Sequence, residues 1–87
     1  MSTVNKLSPV HVVAARGLLK MSQLDLATAA EVSQATIAKF EAGLHDPRPA
    51  TMKAIKLALE EHGIEFYNGG DPGVRLFRSK AKKPGTH

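Results

Sequence analysis

The stretch from Ser22 to Gly43 constrains the fold more than any other part of the chain, because it holds two helix starts and a helix stop in close succession. Ser22 and Ser33 are of the type that caps helix N-termini, and Asp25 completes a short capping box with Ser22. Gly43 is typical of the left-handed residue that ends a helix. About three residues, 30–32, remain to turn the chain. The spacing predicts two short helices joined by a tight turn.

The second of these helices has an apolar side and a polar side. Ile37 and Phe40 share the apolar side, and Val32 lies where it can staple the helix start against Ile37. Glu41 shares the face of Ile37 and Phe40. The outward positions carry short, hydrogen-bonding or cationic side chains and no acidic one: Ser33, Gln34, Ala35, Thr36, Ala38 and Lys39. This face suits a DNA major groove, where glutamine pairs with adenine and lysine reaches guanine or phosphate. Taken alone, it suits a solvated helix surface equally well.

A resemblance to a known family covers many of these positions at once. The DNA-binding core of the lambda-repressor-like Cro/CI (XRE) helix-turn-helix family is similar to the segment SQLDLATAAEVSQATIAKFEAG, and the similarity extends from about Val10 to Leu59. The matching positions, in order, are Arg16, Ser22, Gln23, Leu26, Ala27, Val32, Ser33, Thr36, Ile37, Glu41 and Gly43. The resemblance implies a mainly α fold, a four-helix lambda-repressor-like DNA-binding domain, here followed by a pair of short β-strands.

The resemblance also implies which residues meet DNA. It assigns base reading to Gln34, Ala35 and Lys39, and contacts with the backbone or base edges to Ser33 and Thr36. Gln23, at the start of the second of the four helices, is assigned a phosphate contact and the bracing of the recognition helix, which is the third. Arg16 and Glu41 match a pair that in relatives forms an ion pair between the first helix and the end of the third. If that pair is partly buried, removing one partner costs more than their net attraction is worth.

Two positions depart from the family pattern. Glu31 stands at the turn where many relatives have glycine, so the turn is either slightly strained or different in geometry. Ala42 replaces a polar residue that commonly contacts phosphate in relatives, which implies fewer backbone contacts on that side.

Composition sets the outer bounds. A chain of 87 residues with 43% hydrophobic residues and no tryptophan predicts one small domain with a mostly aliphatic core. It has no cysteine, which excludes disulfides and thiolate metal sites. It has no apolar run near 18 residues and no signal-like N-terminus, so we expect a soluble, cytoplasmic protein without a membrane partner.

Charge and chemistry narrow the function classes. The net charge is +4, but residues 1–63 contribute only +1 and residues 64–87 contribute +3, so charge alone is weak evidence for nucleic-acid binding. His11 and His62 are expected on helix surfaces rather than as metal ligands. The sequence has no nucleophile motif and no phosphate-cradling glycine-rich loop. We expect no catalytic residue, no metal and no cofactor, and hence no enzyme.

The N-terminal part predicts an arm and a first helix. Residues 1–6 are expected to form a flexible arm ahead of a DNA-binding domain at 7–63. Ser8 as N-cap, Pro9 at the first helical position and a contact between Leu7 and Val12 predict a clean helix start. The apolar stripe of this helix is expected at Val10, Val13, Ala14 and Leu18.

The fourth helix and the loop before it follow. Pro49 fits the first helical position, and the helix is expected to bury Met52, Ile55 and Leu59, with Ala58 beside them, and to end at Gly63. The loop residue Arg48 is held extended by the proline after it. It is a candidate phosphate contact by the resemblance, and a solvated loop arginine is an equally good interpretation.

The C-terminal part changes period. Apolar and polar residues alternate over 64–67 and 74–77, and the residues between them, 68–73, are rich in turn formers, which predicts a β-ribbon over 64–78. This ending is also similar to that of a group of short bacterial proteins in the same family. An isolated ribbon is marginal in water, so it must pack on the helices or pair with a second chain. Pairing across chains to form a dimer interface is favoured over a purely internal hairpin. Residues 79–87 are expected to be a disordered basic tail.

These observations favour a sequence-specific DNA-binding transcriptional regulator, a repressor that acts as a homodimer on double-stranded DNA with helix 33–42 in the major groove. An antitoxin that also captures a toxin partner fits the same domain. A protein-interaction module without DNA affinity is a third interpretation, toward which Glu31, Ala42 and the low charge of residues 1–63 lean.

Overall fold

A computed structural model describes residues 7–67 and 73–77. Four helices come first: α1 (Pro9–Leu19), α2 (Gln23–Ala30), α3 (Gln34–Glu41) and α4 (Pro49–Glu61). Two strands follow, β1 (Ile64–Tyr67) and β2 (Gly73–Leu76), in one antiparallel sheet. The predicted fold class is confirmed. The arm at 1–6, the turn at 68–72 and the basic tail at 79–87 lie outside the described residues.

The helix starts follow the predicted capping chemistry. The Ser22 hydroxyl accepts a hydrogen bond from the Asp25 backbone N–H at 2.9 Å, and the Asp25 carboxylate accepts from the Ser22 N–H at 3.0 Å. The Ser33 hydroxyl accepts from the Thr36 N–H at 3.1 Å. Each bond satisfies a backbone group that has no partner within its helix. The two starts fix where α2 and α3 begin, and hence the angle at which α3 leaves the turn.

The α2–α3 turn is strained rather than rebuilt. Glu31 is the C-cap of α2 and lies in the left-handed region at φ +60°. A side chain in that region costs about 1 kcal/mol or more, because its Cβ approaches the following carbonyl. Gly43, at φ +75° after α3, takes up the same kind of conformation without that cost. The turn therefore keeps the geometry that suits glycine although it carries a glutamate.

The core lies between the helices and the inner face of the ribbon. Its largest fully buried apolar residues are Leu26, Ile37, Phe40, Ile55 and Leu59. The predicted inner faces of α3 and α4 are confirmed, with Met52 partly buried against the core. Leu7 and Val12 are both in the core, as predicted for the start of α1.

The predicted inner face of α1 is wrong. Val10, Val13 and Leu18 are 61%, 46% and 44% exposed, while Val12 and Ala15 are buried. Nearly every position of α1 is apolar, so the spacing of its apolar residues allows more than one inward face. The choice between them is made by contacts with β1 and β2, which pack against α1 and α4.

His11 lies on the inward face of α1, and its predicted place on the surface is wrong. It is 1% exposed, and its Nε2 lies 3.0 Å from the carbonyl oxygen of Tyr67 at the end of β1. Because a carbonyl only accepts, Nε2 donates, and Nδ1 is free to accept from the Ser8 N–H at 3.2 Å and the Ser8 hydroxyl at 2.9 Å. The ring also meets Phe66 edge-on, with centroids 5.6 Å apart.

The ribbon is complete within one chain. Ile64 faces Leu76 and Phe66 faces Val74, and these two pairs form the inner face. The Phe77 N–H donates to the Gly63 carbonyl at 2.7 Å, one step beyond the strands. The ribbon packs on the helices, which was one of the two predicted ways to stabilise it. A second chain has only the outer strand edges left to pair with, and such pairing stays a prediction.

Candidate nucleic-acid interface

The polar face of α3 is left open by the fold. Ile37 and Phe40 anchor α3 in the core, against α1 and α2, while the ribbon packs on α1 and α4. Gln34, Ala35 and Lys39 are exposed side by side on the opposite face. Within residues 7–67 and 73–77, neither the Gln34 side chain nor the Lys39 side chain forms a hydrogen bond or an ion pair. Their polar groups are therefore available to an external partner.

Ser33 and Thr36 are already engaged with each other. Besides capping α3, the Ser33 hydroxyl lies 2.8 Å from the Thr36 hydroxyl. Ser33 is exposed and Thr36 is half-buried. A hydroxyl has one donor and two acceptor positions, so this pair can still meet a phosphate or a base edge with one group. The two side chains mark the N-terminal edge of the open face.

The side chains of Arg16, Gln23 and Glu41 connect the end of α3 to α1 and to the first residue of α2. Arg16 Nε donates to Glu41 Oε2 at 2.7 Å, and Arg16 Nη2 donates to Glu41 Oε1 at 2.7 Å. Arg16 Nη1 donates to the Met21 carbonyl at 2.9 Å, and Gln23 Nε2 donates to Glu41 Oε1 at 3.0 Å. The fork-like contact between guanidinium and carboxylate fixes orientation as well as distance. α3 is thereby held against both α1 and the first residue of α2.

The carboxylate at the centre of this cluster is charged and almost fully enclosed. The Glu41 side chain is 6% exposed and that of Arg16 is 19% exposed. Burial alone raises the pKa of Glu41, but the hydrogen bonds from Arg16 and Gln23 and the nearby positive charge outweigh it, so the pKa is lowered. The hydrogen bond to Glu41 raises the pKa of Arg16 in spite of its desolvation. Both partners remain ionised at neutral pH.

The Arg16–Glu41 pair also determines the sign of the charge on the open face of α3. The single acidic residue of α3 is neutralised by Arg16, so the helix presents Lys39 as its uncompensated charge. The electrostatic sign of the face is therefore positive although residues 1–63 are close to neutral. A polyanion is attracted to such a face.

Gln23 and Arg48 occupy the margins of the face. One N–H of the Gln23 amide is committed to Glu41, which leaves the other N–H and the carbonyl oxygen for an outside contact. Arg48 is exposed, and its backbone is extended, at φ −59° and ψ 154°, directly before Pro49. Ala42 is exposed beside Gly43 and contributes no polar group.

Comparison with known proteins identifies the domain. A family model described as helix-turn-helix matches residues 12–65, which is more than half of the chain and spans α2, the turn and α3. The chain belongs to the XRE-type helix-turn-helix family. Members of the XRE family are DNA-binding regulators, and the family is not an enzyme family. No curated protein matches this chain.

The described residues also bear on two other kinds of site, a membrane span and a metal site. Every helix within 7–67 and 73–77 is too short or too polar to cross a bilayer. Those residues also hold no group of three or more His, Asp or Glu side chains placed to bind a metal ion.

One structurally important side chain, that of His11, was not predicted to lie in the core. The hydrogen bonds of His11 join Ser8, at the start of α1, to Tyr67, at the end of β1. A local signal was present: histidine at the third helical position after a serine N-cap takes the place that glutamate or glutamine has in a capping box. Its second partner, 56 residues away, has no sequence signal.

Proposed function

We propose that this XRE-type protein is a sequence-specific transcriptional repressor that binds double-stranded DNA as a homodimer, with α3 of each copy in the major groove. The observation that carries the proposal is the open face of α3, where Gln34 and Lys39 have no partner within the described residues. Glutamine can bind the adenine edge with two hydrogen bonds, lysine can reach guanine, and Ala35 is small enough to contact a thymine methyl group. Repression follows from occupying a promoter site.

The contacts divide into those that specify and those that position. Gln34, Ala35 and Lys39 would read base edges, while Gln23, Ser33 and Arg48 would hold the backbone, with Thr36 at the boundary between the two sets. Phosphate contacts add affinity without sequence information. The Arg16–Glu41 pair supports both sets, because it fixes how far α3 projects from the domain.

Selection of bound fragments from random duplex DNA tests binding, sequence preference and half-site spacing together. The expected site is a palindrome with half-sites about 34–36 Å apart, one helical turn of DNA. Gln34→Ala and Lys39→Ala should each lose about 1–3 kcal/mol of discrimination between the selected site and scrambled DNA. Lys53→Ala is the matched control, since it removes an exposed lysine from α4 and must leave discrimination unchanged.

Arg48→Ala separates positioning from reading. It should weaken binding to all sequences alike and reduce the slope of log affinity against log salt by about 1. Unchanged affinity of Gln34→Ala and Lys39→Ala for the selected site would refute the reading role of α3. Absence of salt-dependent binding by the unsubstituted protein would favour an interaction module instead, and co-purification with a small toxin would favour an antitoxin.

A further inference from the structure

The outer face of α1 carries three large exposed apolar side chains, those of Val10, Val13 and Leu18, that the core does not cover. It consists of Val10, Val13, Ala14, Gly17 and Leu18, all of them exposed. These positions recur at the three- and four-residue spacing of one helix face. We propose that a second copy of this chain docks on the outer face of α1, so that two α1 helices pack antiparallel across a two-fold axis at Ala14. This inference concerns the homodimer of the proposed function and locates its interface.

The order of side chains on this face fits a copy of itself. Val10, Ala14 and Leu18 form one ridge of residues four apart, with the smallest in the middle. In an antiparallel pair centred on Ala14, Val10 meets Leu18 of the second copy and the two Ala14 side chains meet each other. Apart from its own chain neighbours and helix backbone, no atom of the described residues lies within 4 Å of the place where a Cβ of Gly17 would be, so the backbone beside this ridge is open to close approach. Symmetric dimers need such a self-complementary surface.

Charge favours the same occupant. Arg16 is the one charged residue of α1, and its guanidinium is turned into the contact with Glu41 rather than toward this face. Two copies can therefore meet here without burying an unpaired charge, because Glu41, which borders the face, is already paired with Arg16. None of the five residues of the face offers a cation to a DNA backbone.

The face is also next to the end of α3. A shallow depression of about 310 Å³ is lined by Pro9, Val10, Val13, Ala14 and Glu41, the last of which is the final residue of α3. Packed helices lie about 8–10 Å apart, so an axis between two α1 helices lies about 4–5 Å from each of them. α3 packs on α1, so each α3 axis lies at most one further helix spacing from the two-fold axis, and the two α3 helices are at most about 24–30 Å apart. This upper limit is about 4–12 Å shorter than the 34–36 Å between adjacent major grooves.

The size of the face sets the strength of the contact. The five residues present on the order of 200 Å² of apolar surface, against about 800 Å² per partner in a standard interface. We therefore expect a weak dimer, in the micromolar range, that binding to two half-sites strengthens. Dilution should separate the copies in the absence of DNA.

The cysteine-free sequence permits a direct test by cross-linking. In the proposed pair the two residue-14 Cα atoms are about 3.5–5.5 Å apart, which overlaps the span of a disulfide. Ala14→Cys should therefore form a disulfide-linked dimer under mild oxidation, at least tenfold faster than Ala29→Cys, an exposed alanine on α2. A mixture of Val10→Cys and Leu18→Cys chains should cross-link to each other faster than either does alone, which reports the antiparallel sense.

A charge at the axis tests the same contact without oxidation. Ala14→Glu brings two carboxylates together and should raise the dimer dissociation constant at least tenfold, as measured by sedimentation equilibrium, whereas Ala29→Glu should not. Both substitutions keep a good helix former, and circular dichroism checks that each variant is folded. Should Ala14→Glu fail to fold, the cysteine variants decide alone.

The outcomes separate the interface from the DNA-binding role. Dimers that survive Ala14→Glu with no Ala14→Cys cross-link would overturn the inference and move the second copy elsewhere, for example to the ribbon edge. The inference would also be overturned if the unsubstituted protein stayed monomeric at about 100 times a micromolar dissociation constant. A dimer that cross-links through residue 14 but binds no DNA would support the interface and refute the proposed function.

Discussion

Replacing Arg16 with methionine leaves the buried carboxylate of Glu41 without its cationic partner. Arg16→Met keeps an unbranched apolar chain but removes the three hydrogen bonds that the guanidinium donates, two to Glu41 and one to the Met21 carbonyl. The Glu41 carboxylate, 6% exposed, is then left with Gln23 as its donor. An ionised group in that state pays its desolvation cost with little compensation.

The expected loss follows from the burial. Removing one partner of a fully buried pair costs about 3–5 kcal/mol, whereas exposed pairs are worth about 0–1 kcal/mol. Since Arg16 is 19% exposed and Gln23 still donates one bond, we expect about 2–4 kcal/mol. A chain of this size has a total free energy of unfolding of about 4–13 kcal/mol. The variant should thus melt roughly 10–30 °C lower.

A double-mutant cycle, followed by urea unfolding, measures the interaction free energy between Arg16 and Glu41. Arg16→Met, Glu41→Gln and the double variant are compared at pH 7, and the double variant should lose at least 1 kcal/mol less than the sum of the single losses. Gln23→Ala, which removes one neutral donor, serves as the milder comparison. A loss below about 1 kcal/mol for Arg16→Met would show that the pair behaves as an exposed surface pair, contrary to its burial.

The pH dependence has a definite sign. Because the pKa of Glu41 is lowered in the folded protein, the unfolded chain binds its proton first as the pH falls. The stabilisation by this carboxylate is complete above its ordinary pKa and is lost as the pH falls through the lowered one. The difference in free energy of unfolding between the unsubstituted protein and Glu41→Gln should therefore shrink on acidification. A difference that grows toward low pH would contradict the assignment.

Substitutions at His11 and Glu31 should also change the stability of the fold. His11→Phe keeps an aromatic ring but leaves the Ser8 N–H and the Tyr67 carbonyl without their partner. It should lower the free energy of unfolding, measured by urea titration, by about 2 kcal/mol. The control variant His45→Phe, in an exposed loop, should leave that free energy nearly unchanged. Glu31→Gly should raise the free energy of unfolding by about 1 kcal/mol, and with it the melting temperature, because glycine adopts the left-handed conformation without strain. Glu31→Ala keeps the Cβ and therefore the strain, so an equal gain for this variant would contradict the explanation.

Local chemistry predicts the elements of this fold because each boundary is set within a few residues. The serine caps, the prolines at the first helical positions and the alternation in the ribbon all act over one turn or one strand. The residues that the α3 face exposes follow from the burial of Ile37 and Phe40 alone. These features need no knowledge of the rest of the chain.

The orientation of α1 was not predictable by the same means. Its apolar residues nearly encircle it, so the hydrophobic effect does not strongly distinguish its faces. The difference comes from the hydrogen bond between His11 and Tyr67 and from the packing of the ribbon, which depend on residues far along the sequence. The apolar stripe that the sequence wrongly assigned to the core is the same surface on which we propose that a second copy docks.

The bond between His11 and Tyr67 also has a consequence during synthesis. A growing chain emerges from the ribosome N-terminus first, so α1 leaves well before β1 and β2 exist outside the tunnel. Until then the inner side of α1, with its imidazole and Val12, has nothing to cover it on the ribbon side. Co-translational folding of this domain should thus complete late, in one step, when the last strand is released.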